Sequence, residues 1–112
     1  MKAGEIALAS LQQADGQLKL RPFLLLTTFP PFDDWLVCGI SSQIRHAVSG
    51  LDSVVEMKDT DFEQSGLQVS SVIRTGFLAT LPSKDIPGTI GSISSHRYHT
   101  VINQLVTHLN QS

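Results

Sequence analysis

Apolar residues in this chain come in short runs cut by proline and glycine, until Ser94, after which the hydrophobic period lengthens. Phe23-Leu24-Leu25-Leu26 directly follows Pro22, and Trp35 to Ser42 follows Phe29-Pro30-Pro31-Phe32-Asp33-Asp34, a connection that helix cannot contain. Past Ser94, the residues Tyr98, Val101, Ile102, Leu105, Val106 and Leu109 recur at the spacing of one helix face, and Ser94 or Ser95 can cap it. The pattern predicts five or six short strands followed by one amphipathic helix. That is a mainly β fold, a small and strongly bent sheet or barrel with the helix packed on it.

The first strand is expected over Glu5 to Ser10, where Ile6 and Leu8 alternate with small residues, and Gln12 to Gly16 reads as a loop ending in an Asp-Gly turn. Pro22 lacks a backbone donor, so it belongs at a strand's first residue or on an edge, with Phe23 to Thr28 a buried strand. Gly39 inside the next strand marks a bulge or a close backbone approach. Further strands are expected at Asp52 to Met57, Leu67 to Ile73, Phe77 to Leu81 and, more weakly, Ile86 to Ile90. The acidic stretch around Asp59-Thr60-Asp61 reads as a loop closed by Ser65-Gly66.

The 112 residues make one domain, and 41% apolar with 16% charged residues fits a compact soluble protein. Apolar runs fall far short of the roughly eighteen residues needed to cross a bilayer, and Glu5 stands where a signal peptide would be apolar. Cys38 lies in an apolar run and reads as a buried, inert thiol. With no disulfide framework and no zinc-ligand spacing, a cytoplasmic protein without metal or cofactor is expected. A net charge of −2 opposes broad nucleic-acid binding, yet the acids cluster from Asp52 to Glu63 against only Lys58, which leaves room for a local basic face.

Two polar segments carry the candidate chemistry. Lys19-Leu20-Arg21-Pro22 precedes one apolar strand, and Ser41-Ser42-Gln43 ends the next. If those strands pair antiparallel, a guanidinium and two hydroxyls meet at one end as a phosphate-binding corner. Taken singly, a solvated arginine and strand-end serines are the plainer readings. His46 is the histidine best placed as a general acid or base, although a surface role leads for it too. Gly-rich phosphate loops, nucleophile elbows and paired helical histidines are all missing from the sequence.

Taken in order, these segments resemble the PemK/MazF family of toxin–antitoxin endoribonucleases. The resemblance runs from Gly4-Glu5-Ile6 through Asp15-Gly16, Lys19-x-Arg21-Pro22, Cys38-Gly39-Ile40-Ser41-Ser42-Gln43 and Val72-Ile73-Arg74-Thr75 to Thr89-Ile90-Gly91 and the terminal helix. It implies a small SH3-like, PemK-type barrel, a homodimer, and metal-independent cleavage of single-stranded RNA, neutralised by a small antitoxin lying across the RNA groove. Arg21 then matches the family's active-site arginine, and Ser41 its catalytic threonine or serine. Lys19, Ser42, Gln43, Arg45, His46 and Arg74 become candidates for binding RNA or assisting, and Trp35, Phe29 and Phe32 for stacking on bases. The sequence departs from some members in having Asp15 as the nearest acid before Arg21, and Ser70 and Ser71 where an acid precedes the later arginine. Two other roles use the same fold: a non-catalytic binding module, and a gyrase poison acting through the C-terminal helix, neither of which needs Arg21 and Ser41.

Overall fold

The computed structural model describes residues 1–12 and 15–111; Gln13 and Ala14 of the expected loop, and Ser112, lie outside the described residues. Six strands form one antiparallel sheet: β1 (Glu5–Gln12), β2 (Leu18–Phe29), β3 (Asp34–Ser41), β4 (Ser53–Val55), β5 (Ser71–Leu81) and β6 (Gly88–Ser92). They lie in the order β4-β5-β3-β2-β1-β6, and the sheet curls into a half-barrel. Two helices complete the fold, the single turn α1 (Phe62–Ser65) and the long α2 (Ser95–Asn110). No helix among the described residues is long and apolar enough to cross a membrane.

The unbroken apolar run Phe23 to Leu26 follows from burial on both sheet faces. Leu24 and Leu26 join Ile6, Cys38, Ile40 and Ile73 beneath Val101 and Leu105 of α2. Phe23 and Leu25 point the other way, into a second cluster with Ala7, Ala9, Trp35, Val37 and Ile86. Fully burying one such leucine contributes about 2 kcal/mol, so the middle of β2 anchors both layers. The helix is seated by Ser94, whose side chain accepts from Arg97 N at 3.1 Å, and by Tyr98, whose hydroxyl donates to Leu26 O at 2.7 Å. Its stripe outruns the core, because Val106 and Leu109 remain 49% and 60% exposed.

Three sequence expectations need revision. Pro22 sits four residues inside β2, on neither a first residue nor an outer strand. It is tolerated because the β2–β3 ladder begins only at Phe23, so Pro22 is paired to β1 alone, opposite Leu8. The strand expected from Leu67 starts at Ser71 and then runs unbroken to Leu81. Upstream, side chains take the place of a ladder: Leu67 N donates to Ser65 Oγ at 3.1 Å and Ser70 Oγ accepts from Met57 N at 3.0 Å. The expected Ile86 to Ile90 strand is displaced to Gly88–Ser92, since Ile86 turns into the second core cluster.

Candidate functional site

Strand register decides what meets at the open end of the sheet. Phe23 pairs with Gly39 across β2 and β3, and Gly39 pairs with Arg74 across β3 and β5. Arg21 lies two residues before Phe23 and Ser41 two after Gly39, so the period of two places both at one end of the sheet and on one face. The result is an open cleft of about 380 Å³. Arg21, Ser41, Ser42, Gln43 and Arg74 supply its polar wall, and Phe23, Gly39 and Phe77 are among its apolar lining.

The electrostatics of the cleft are one-sided. Its lining contains two guanidinium groups and no carboxylate. Arg21 and Arg74 are both exposed, and neither makes an ion pair among the described residues. Ser41 Oγ accepts from Gln43 N at 3.0 Å, which shapes the Ser42-Gln43 corner and leaves the serine hydroxyl its own proton to donate. Fixed cations beside hydroxyl and amide donors suit a phosphodiester. Among the described residues, no group of three or more histidines, cysteines or acids is arranged to hold a metal ion.

Five of the eight candidate residues thus line one cleft. Lys19 stands two residues before Arg21 on β2, exposed and outside the lining, and Arg45 and His46 occupy an exposed 3-10 turn just past Gln43. None of the three aromatic candidates belongs to the cleft. Trp35 is only 8% exposed and packs in the second core cluster, while Phe29 and Phe32 are exposed at the far end of β2. The aromatics that do line the cleft are Phe23 and Phe77.

Two arrangements behind the cleft escaped the sequence reading. Asp52 Oδ1 accepts from Thr75 N at 3.0 Å and its Oδ2 accepts from Val48 N at 2.9 Å, which ties the loop after β3 to β5 beside Arg74. Arg97 is the other, and it gathers the acidic stretch. Its Nε donates to Asp61 Oδ2 at 2.8 Å and its Nη2 to Asp61 Oδ1 at 3.0 Å, in a two-point fork. Nη2 also reaches Asp59 at 2.9 Å, and Nη1 reaches Val54 O at 2.9 Å. The guanidinium lowers the Asp61 pKa to about 2, helped by the Ser94 amide and opposed by burial. Cys38 is buried as expected, and burial pushes its thiol up to about 12, with the Asp52 charge adding to the effect. It is no nucleophile.

The profile of PemK-like, MazF-like toxins of type II toxin–antitoxin systems matches residues 2–109. The chain belongs to this family. The family fold is also that of solved structures. Mycobacterium tuberculosis toxin MazF-mt6 superposes with a TM-score of 0.70 at 21% identity, over 95% of this chain and 96% of that one. An endoribonuclease in complex with its cognate antitoxin, from a mycobacterial species, gives 0.71 at 14% identity, over 100% and 97% of the two chains. A further mycobacterial endoribonuclease gives 0.68 at 14%, over 98% and 91%. No curated protein matches the sequence.

Proposed function

We propose that this PemK-like toxin is a metal-independent endoribonuclease that cuts single-stranded RNA at the Arg21–Ser41 cleft. The observation that carries the reading is the convergence of Arg21, Arg74, Ser41, Ser42 and Gln43 in a lining without a carboxylate. The family match supports the toxin role, and two of the similar structures are described as endoribonucleases. The partner is a cognate antitoxin, such as one of those structures holds. The toxin works as a cytoplasmic homodimer.

The chemistry follows from what the side chains offer. The 2′-oxygen attacks the adjacent phosphorus, the P–O5′ bond breaks, and the proton leaving the 2′-hydroxyl is balanced by one delivered to the 5′-oxygen. The products are a 2′,3′-cyclic phosphate and a 5′-hydroxyl. Arg21 stabilises the charge that builds on the pentacoordinate phosphorus, where a fixed cation acts most strongly. A guanidinium keeps its protons in proteins, so this role is electrostatic and not that of a base. Ser41 donates to a non-bridging oxygen and sets the phosphate's orientation. Ser42, Gln43, Arg74 and Lys19 hold the flanking backbone. Arg45 and His46, on the turn that follows, assist with the adjacent phosphate or the proton; unchanged cleavage by His46→Ala removes His46 from the scheme.

The test is incubation of the antitoxin-free protein with a long single-stranded RNA in EDTA, beside Arg21→Ala, followed by mapping of the ends. Discrete cuts with cyclic-phosphate ends, reduced by about 100-fold or more in the variant, are expected. An intact RNA in the presence of folded protein would overturn the reading.

A further inference from the structure

Between Cys38 and Gly39 the β3–β5 register jumps, since Cys38 pairs with Leu78 but Gly39 pairs with Arg74. Thr75, Gly76 and Phe77 therefore have no partner on β3 and form a wide bulge at the cleft. Bulges re-aim side chains, and this one lays the Phe77 ring over Gly39. A Cβ built on Gly39 would stand 3.0 Å from Phe77 Cδ1, so only glycine leaves the ring its place. Phe23 braces the ring, centroid to centroid 6.4 Å at 41°. Thr75 N, deprived of β3, donates instead to Asp52, which pins the bulge.

The ring so held remains 38% exposed, in a polar cleft where an apolar side chain gains nothing from water. The Arg74 guanidinium carbon lies over it, 6.0 Å from the centroid. That separation lies at the outer limit of a cation–ring contact, and Phe77 keeps a solvent-exposed portion beside it. A planar heterocycle attached to a phosphodiester is what an acid-free cleft of two guanidiniums and one braced phenyl ring accommodates.

We propose that Phe77 is a nucleobase platform: one base flanking the scissile phosphate stacks on its ring, with Arg74 closing over the other face. The inference rests on the ribonuclease reading and deepens it, because it names the residue that holds a base next to the cut.

The test uses the full chain and a fluorescein-labelled, mixed-sequence single-stranded RNA carrying 2′-O-methyl at every ribose, which can bind but cannot react. Phe77→Leu is expected to melt like the wild type and to bind this RNA roughly tenfold more weakly. On ordinary RNA it should still cut in an Arg21-dependent way, with a KM raised about as much as binding is weakened. Phe77→Trp should bind like the wild type, and its added indole should be quenched as RNA is titrated in. Unchanged affinity in Phe77→Leu, or an indole indifferent to saturating RNA, overturns the platform while Arg21-dependent cleavage keeps the ribonuclease. A fall in molecular mass of Phe77→Leu with RNA affinity intact would likewise overturn it, by assigning the ring to a protein contact. A wild type that neither binds nor cuts RNA would remove the ribonuclease reading itself, and the platform with it.

Discussion

At Gly39 the backbone of β3 stands where a methyl group would meet Phe77 Cδ1 at 3.0 Å. In Gly39→Ala the ring has to move, and crowding of this kind costs about 1 kcal/mol. The expected outcome is a small fall in denaturant midpoint with a larger fall in RNA affinity, read by urea titration and fluorescence anisotropy. Cys38, the neighbouring residue, calls for the opposite result. With the thiol fully buried and its pKa pushed to about 12, labelling by a thiol reagent at neutral pH should be negligible in the folded protein. Labelling should rise only in step with unfolding as urea is added.

Among the elements, the long helix and the acidic stretch are joined by the Arg97 side chain and by the Ser94 amide at the helix cap. Arg97→Ala would strand Asp61, 3% exposed, without its cation, at a cost of about 3 kcal/mol by urea denaturation at neutral pH. Acid should release the same clamp. Because the folded pKa of Asp61 is lowered from 3.8 to about 2, its contribution is complete above pH 3.8 and is lost as pH falls through about 2. The wild type should therefore lose stability over that window, and Arg97→Ala should lose less. This clamp was invisible in the sequence for a physical reason: Arg97 and Asp61 are 36 residues apart, and no local period links them. What local period does encode was legible. The apolar run of β2 and the α2 stripe as far as Leu105 sit where the pattern indicates, whereas Leu8 of β1 is only half-buried and Val106 and Leu109 stay exposed. Arg21 and Ser41 could be brought together because antiparallel pairing sets the start of one strand beside the end of the next, whereas Arg74 was marked by the family resemblance alone. Phe77 could not, since a bulge is where pairing arithmetic breaks; Gly76, the residue before it, was its only local trace.

On the scale of the whole molecule, a net charge of −2 coexists with a cleft lined by two arginines and no acid. The acids that set the overall sign include Asp59 and Asp61, already folded onto Arg97 beside β4. Attraction to RNA is thus local, and its salt dependence should be shallow. With Arg21, Arg74, Lys19 and Arg45 the phosphate contacts of the proposed site, log K should fall against log salt with a slope of roughly −2.8, and Arg74→Ala should flatten it by about 0.7. A much steeper slope, measured by anisotropy between low and moderate salt, would mean that cations beyond these four join the footprint. The bulge at Thr75–Phe77 has a bearing on how such a toxin diversifies. Thr75 is buried and tied to Asp52, but Gly76 and Phe77 are exposed and uncommitted to β3, so their identity is uncoupled from the ladders on either side. A lineage can redraw what this corner of the cleft touches, residue by residue, while every strand keeps its alignment and both cores stay intact.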